Sequence, residues 1–123
     1  MDALPKVGRF LYAIPMAGFG ALHFIMGEAM AGMVPIPGGV IWVYITGVAL
    51  LAAATSIIVG RHAVLATRLL GLMLLTFAIS IHLMALVGGD QAAMSNVLKD
   101  TALAGGAFIL SGVLAGEENA AES

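Results

Sequence analysis

Four long apolar stretches restrict what this 123-residue chain can fold into, and they lie at residues 8–27, 40–59, 64–87 and 98–115. Each approaches the roughly 20 residues that a helix needs to cross a hydrocarbon layer about 30 Å thick. Soluble domains are typically about a quarter charged, whereas this chain is 10% charged and 61% hydrophobic. A chain of this length has too little interior to bury so much apolar surface, so the sequence predicts a protein embedded in a lipid bilayer.

The connectors between these stretches are short and rich in helix-breaking residues. Val34 to Gly39 contains two prolines and two glycines, Gly60-Arg61-His62 predicts a tight turn, and Gly88-Gly89-Asp90 ends the third stretch. Short connectors make sequential helices antiparallel neighbours. The sequence therefore predicts an all-α, up-down-up-down bundle of four transmembrane helices in residues 1–116. A short, frayed acidic cytoplasmic tail is predicted at 117–123.

The positive charges predict the orientation. Lys6, Arg9, Arg61 and Arg68 fall on one side of the predicted membrane, and Lys99 falls on the other. Short cytoplasmic loops are enriched in Lys and Arg. We therefore expect a protein of the bacterial or archaeal cytoplasmic (inner) membrane, with both termini on the cytoplasmic side. A signal peptide is the alternative for the first stretch, because Lys6 and Arg9 precede an apolar segment that ends in small residues.

An internal repeat favours a retained first span over a signal peptide. The interval from Arg9 to His23 equals the interval from Arg68 to His82; apolar residues follow each arginine and flank each histidine. The first and third predicted spans run in the same direction across the membrane. The match therefore predicts that the two halves of the chain, each of two helices, are parallel repeats related by an axis along the membrane normal.

Ionisable residues at one end of the spans are the candidate functional site. His23 and His82 lie at similar predicted depth, with Glu28 after the first span and Asp100 at the start of the fourth. An intramembrane ionisable residue is a functional hypothesis by default. We predict that these four residues bind a quinone or a similar lipid-soluble redox ligand. A histidine would hydrogen-bond a carbonyl oxygen, and a carboxylate would relay the proton to the aqueous side.

Other interpretations of the same residues stay open. Haem could bind between His23 and His82, whereas a metal site is not predicted because no helix carries the usual paired-histidine spacing. The histidines could instead only bridge helices by hydrogen-bonding Thr46, Thr76 or Ser80. Lys99 and Asp100 could anchor a helix start without bridging each other, because adjacent residues point to different helix faces.

Composition excludes several classes of function. The chain has no cysteine, so any redox role needs an external cofactor, and its five Lys and Arg residues leave no basic patch for nucleic acid. Small residues at four-residue spacing mark helix contact faces, and we expect self-association or a partner membrane subunit to cover some of them. They are Ala13, Ala17 and Ala21; Ala49 and Ala53; Ala102 and Gly106; and Gly112 and Gly116.

Short motifs recur along the chain: Gly8-Arg9, Gly18-Phe19-Gly20, His23-Phe24, the Pro35 to Gly39 loop, Thr46-Gly47, Arg68, His82-Leu83, Lys99-Asp100 and Gly105-Gly106. Together they resemble the DoxX-like family of small four-helix membrane proteins over nearly the whole chain. The resemblance implies the membrane subunit of a quinone-linked oxidoreductase, with a partner supplying the sulfur or other donor chemistry. The alternative is a non-enzymatic structural or assembly subunit of a larger membrane complex or homo-oligomer.

Overall fold

The computed structural model describes residues 3–32, 34 and 37–122, and every regular element within these residues is helical. The α-helices are α1 (Leu4–Ile25), α2 (Gly27–Ala31), α3 (Gly39–Val59), α4 (Ala63–Phe77), α5 (Met84–Val87) and α6 (Ala93–Glu122). A π-helical segment, Ala78–Leu83, joins α4 to α5, so that Ala63–Val87 forms one continuous long helix.

Three helices are long and apolar enough to cross a membrane: Gly39–Val59, Ala63–Val87 and Ala93–Glu122. The first two match the predicted spans 40–59 and 64–87 to within a residue. Helix α1 is 22 residues long and runs through Pro15. It is absent from this set because Lys6, Arg9 and His23 lower its mean hydropathy.

Helix α6 is longer than the sequence predicted at both ends. It begins at Ala93 rather than near residue 98, so Asp100 lies two turns inside the helix and not at its start. It also continues to Glu122, where a frayed tail was expected. The helix can continue because Glu and Ala after Gly116 favour helix and no proline interrupts them.

The turns between helices depend on left-handed backbone conformations. Gly38 precedes α3 with φ 79° and Gly60 follows it with φ 77°, a region that glycine enters without steric cost. His62 precedes α4 with φ 53°, the one non-glycine residue with positive φ in the described chain. The predicted Gly60 to His62 turn is therefore confirmed. Pro35 and Ile36 of the other predicted connector lie outside the described residues.

Two antiparallel helix pairs form the core, α1 with α3 and the long Ala63–Val87 helix with α6. In the first pair the backbones come close where Gly20 faces Gly47. A Cβ at Gly20 would lie 3.0 Å from the Gly47 carbonyl oxygen and 2.9 Å from Cγ of Leu51. In the second pair a Cβ at Gly71 would lie 2.6 Å from the Phe108 ring. Glycine therefore permits close approach at both contacts, and at Gly20 the nearest atoms include a backbone carbonyl oxygen, which cannot move aside as a side chain can.

Small side chains and a few larger apolar ones fill the space where the two pairs meet. Close approach of small residues drives helix association in lipid, because lipid chains are as apolar as the side chains they would replace. The buried cluster contains Ala13, Met16, Leu50, Ala53, Ala54, Ile57, Leu70, Leu74, Ala104 and Ala107.

Arg9 joins three helices at the end of the bundle that carries the Gly60 to His62 turn. Its Nε donates to the carbonyl oxygen of Ile57 at 2.7 Å, which gives a partner to a carbonyl in the last turn of α3. Its Nη1 lies 3.1 Å from Oε2 of Glu117 on α6. Arg9 therefore connects α1, α3 and α6.

The predicted two-helix repeat is not evident in the packing. Ala13 and Gly20 are buried on α1, but the residues at the same repeat positions in the long helix, Leu72 and Ile79, are each 56% exposed. The two helices therefore bury different faces relative to their matched Arg and His residues.

Gly20→Ala is expected to destabilise the fold by about 1–3 kcal/mol, because the added methyl group would push α1 away from α3. Gly18→Ala on the same helix is the control, since a Cβ at Gly18 meets nothing within 4 Å. Thermal unfolding in detergent, followed by Trp42 fluorescence, measures both variants. Equal melting temperatures for the two variants would contradict the close contact.

Arg9→Gln is expected to cost more stability than Glu117→Gln. The Glu117 variant loses a partly exposed ion pair, typically about 0–1 kcal/mol, while the Arg9 variant also leaves the Ile57 carbonyl without its side-chain partner. The same unfolding measurement compares them. Equal loss of stability in the two variants would show that the Arg9–Glu117 ion pair accounts for the whole effect and that the Ile57 contact contributes nothing.

Candidate functional site

His82 and Asp100 meet near the end of the bundle opposite Arg9. Nε2 of His82 lies 3.1 Å from Oδ2 of Asp100, within ion-pairing distance. The side chains are 13% and 6% exposed, respectively. Burial of a carboxylate is costly unless it is paired and hydrogen-bonded. The contact with His82 therefore offsets part of the free-energy cost of burying the Asp100 carboxylate among apolar helices.

The π-helical segment sets the direction of the His82 side chain. A π turn is wider than an α turn, and it changes the helix face on which later residues lie. His82 is within this segment, which packs directly against α6. Single π turns inside α-helices occur frequently at functional sites. The regular 3.6-residue period of the sequence gives no indication of this local change.

Lys99 supplies a second partner for Asp100. Its Nζ lies 3.4 Å from Oδ1 of Asp100 and 5.1 Å from the centre of the Phe19 ring on α1. The expectation that adjacent Lys99 and Asp100 need not bridge is wrong here, because the long lysine side chain folds back toward its neighbour. Lys99 is 43% exposed, so the cluster extends from a buried histidine to an accessible amine.

The remaining imidazole nitrogen of His82 has no partner. Nδ1 is buried and makes no hydrogen bond to the described residues. A neutral imidazole with its proton on Nε2 presents a lone pair at Nδ1, and a protonated imidazole presents a donor there. Most buried polar groups are paired, so this atom is available to a ligand that enters beside His82.

Of the four predicted site residues, the structure brings together His82 and Asp100. Nδ1 of His23 donates to the carbonyl oxygen of Phe19 on its own helix at 2.6 Å, while its Cβ faces Gly47. Glu28 is exposed on α2. Within the described chain, no ion pair or hydrogen bond connects either of these two residues to His82 or Asp100.

The hydroxyl residues proposed as histidine partners bond elsewhere. Thr46, Thr76 and Ser80 each donate to the carbonyl four residues earlier on their own helix. His82 does contact another helix, but its partner is the carboxylate of Asp100 on α6 and none of these hydroxyl residues. A carboxylate accepts a stronger, charge-assisted hydrogen bond than a neutral hydroxyl does.

Two residues near the site were missed by the sequence analysis. The Tyr12 hydroxyl donates to the carbonyl oxygen of Leu103, less than one turn after Asp100 on α6. Phe19 lies under the Lys99 amine. Both residues are on α1, which therefore completes the surroundings of the cluster. An aromatic hydroxyl in the interior of an apolar stretch was the available signal for Tyr12.

The geometry fits haem poorly. Nε2 of His82 faces Asp100, and Nδ1 of His23 already bonds to Phe19, so the two rings do not present a matched pair of axial ligands. For metals, the described residues contain no group of three His, Cys, Asp or Glu side chains able to hold an ion. Among the described residues, Nδ1 of His82 is the buried side-chain polar atom left without a hydrogen-bond partner.

Comparison with known proteins gives no match to any protein-family model, and no curated protein or solved structure matches the chain. The resemblance to the DoxX-like family therefore stays a prediction based on the short motifs.

Asp100→Leu is expected to destabilise the fold by about 1–3 kcal/mol, because it leaves Nε2 of His82 buried without a partner. The double variant His82→Leu with Asp100→Leu is expected to lose less, since replacing both partners of a buried pair leaves no orphaned group. Unfolding of both single variants and the double variant in detergent gives the coupling energy. Strict additivity would show that the two side chains do not interact.

Proposed function

We propose that this chain is a four-span membrane subunit that binds a quinone at the His82 and Asp100 pair, as part of a redox system. The proposed location is the cytoplasmic membrane of a bacterium or archaeon. The motif resemblance to the DoxX-like family supports the same class of function.

The packing of α1 supports a fourth membrane span. Its 22 residues extend about 33 Å at 1.5 Å per residue, which matches a hydrocarbon layer of about 30 Å. It packs antiparallel to α3 and contributes Ala13 and Met16 to the buried cluster. Lys6, Arg9, Arg61 and Arg68 then lie at one membrane face, which supports cytoplasmic termini.

The observation that carries the proposal is the buried Asp100 carboxylate paired with a histidine whose other nitrogen is unbonded. Ionisable residues inside membrane helices are rare and usually mark ligand or proton pathways. Here Nδ1 of His82 can accept a hydrogen bond from a quinol hydroxyl when the ring is neutral, and it can donate to a quinone carbonyl when the ring is protonated. Asp100 fixes the orientation of the imidazole, and the half-exposed Lys99 lies between Asp100 and solvent.

A bound quinone would supply two-electron, two-proton chemistry, and this chain's residues would supply the proton path. His82 is positioned to exchange a proton at Nδ1, Asp100 stabilises the imidazolium that results, and Lys99 links the pair to water. The electrons must come from a partner subunit, because the chain has no cysteine for a thiolate-ligated cluster. A membrane partner would also cover helix faces that this bundle leaves open.

A structural or assembly subunit is the second candidate function. Both carboxylate oxygens of Asp100 already have partners within the chain, an arrangement that also suits a fixed helix connection. In addition, Gly105, Gly112 and Gly116 on α6 are exposed, and a Cβ at each would meet nothing within 4 Å. A second copy or a larger complex could pack closely against this face.

The test is mass spectrometry of the solvent extract from protein purified in mild detergent. We expect near-stoichiometric quinone with the wild type and its loss from the double variant His82→Leu with Asp100→Leu. This variant removes both partners together, so folding is expected to survive.

His23→Ala is the matched control, because His23 is bonded within its own helix and is expected to keep the quinone. Trace quinone in every sample, or full retention by the folded double variant, would reject the quinone site. Those results would favour the structural role.

A further inference from the structure

A lateral cleft separates α3 from α4, the helix pair that joins the two close-packed halves of the bundle. These helices contact each other less extensively than α1 contacts α3 or α4 contacts α6. The space between them is about 300 Å³, and its walls include Ala49, Ala52, Ala66 and Met73. The small alanine side chains leave this volume unfilled.

The cleft opens toward the surroundings of the bundle and not toward the core. Ala52 is exposed, and the cleft residues Leu65 and Leu69 are 60% and 56% exposed. Both helices are among the three that are long and apolar enough to cross a membrane. At that depth the neighbouring medium is lipid hydrocarbon, so a flexible hydrocarbon chain is the ligand that matches the walls.

The length of the cleft matches one leaflet. From His62 to Met73 the helix rises about 16 Å at 1.5 Å per residue, close to half of a hydrocarbon layer about 30 Å thick. One end therefore lies at the membrane surface and the other near the bilayer centre. A phospholipid acyl chain in a single leaflet has this placement.

Two polar side chains line the surface end of the cleft, and an arginine adjacent to one of them in sequence lies outside the lining. The lining side chains are Ser56 and His62, and the Ser56 hydroxyl makes no hydrogen bond within the described chain. Arg61, next to His62, is exposed, and no acidic side chain among the described residues forms an ion pair with it. Nearby Arg9 differs, because Glu117 already compensates its charge.

We propose that the α3–α4 cleft binds an anionic phospholipid, with an acyl chain along the alanine-lined wall and the phosphate at Arg61, His62 and Ser56. Basic groups between transmembrane helices at the cytoplasmic surface bind anionic head groups in this way. The cleft does not involve His82 or Asp100, so this proposal is independent of the quinone site.

The experiment measures which lipid the detergent-purified protein retains. Protein is mixed with equal amounts of phosphatidylglycerol and phosphatidylcholine of identical acyl chains, separated from free micelles by size exclusion, and extracted for mass spectrometry. Wild-type protein is expected to keep phosphatidylglycerol near-stoichiometrically and in excess of phosphatidylcholine.

Ala52→Leu is expected to lose the retained lipid, because the larger side chain fills the cleft. Ala102→Leu is the matched control, since Ala102 is an exposed residue of α6 that does not line the cleft. Retention of lipid by Ala52→Leu at the wild-type amount would overturn the proposal. The proposal would also be overturned if Ala52→Leu kept its lipid but had a smaller oligomeric state than the wild type in size exclusion. That result would make a second copy of the chain the occupant of the cleft.

Arg61→Gln tests the head-group contact without filling the cleft. It is expected to lower phosphatidylglycerol retention about five-fold, the equivalent of the roughly 1 kcal/mol that one basic side chain contributes near an anionic surface. His62→Asn is expected to act in the same direction, and Asn tolerates the left-handed backbone at this position. Lys6→Gln is the charge-matched control. Equal retention of the two lipids by wild-type protein would overturn the anionic specificity.

Discussion

The close approach of helix backbones at glycine is the constraint on which the rest of this structure depends. Lipid offers no hydrophobic penalty for separating two apolar helices, so they associate only where their surfaces fit. Gly20 against Gly47, and Gly71 against Phe108, bring the helices of each pair together. With the helix axes this close, side chains near the two ends can reach across the bundle. The polar contacts of Arg9 and of His82 lie at the ends of these closely packed helix pairs.

The two ends of the bundle use ion pairs for different purposes. Arg9 and Glu117 satisfy each other at a partly exposed surface, where the pair mainly fixes helix positions. His82 and Asp100 are more deeply buried, and one imidazole nitrogen stays unbonded. A fully satisfied pair has little capacity for further chemistry. The His82 cluster retains a free hydrogen-bonding position beside a carboxylate, and this difference makes it the candidate site.

The sequence predicted the helices and half of the candidate site, because both depend on local pattern. Apolar length located α3 and the long helix to within a residue, and depth along the helices indicated that His82 and Asp100 could meet. The pairing of His23 was not predictable, since its nearest acceptor is the Phe19 carbonyl of its own helix. The π-helical segment was not predictable from the sequence either. Matched Arg and His positions suggested a repeat, but the buried face of each helix depends on its neighbours, which sequence spacing does not report.

The contacts of α1 with α6 have a consequence for biosynthesis. Arg9 and Tyr12 bond to Glu117 and Leu103, which lie 108 and 91 residues away in the sequence. These partners are synthesised last, so until α6 is made the guanidinium and the phenol must bond to water or to other groups. Helices α1 and α3 can dock earlier through their facing glycines. The contacts that tie α1 to α6 are therefore completed only when the end of the chain has been made.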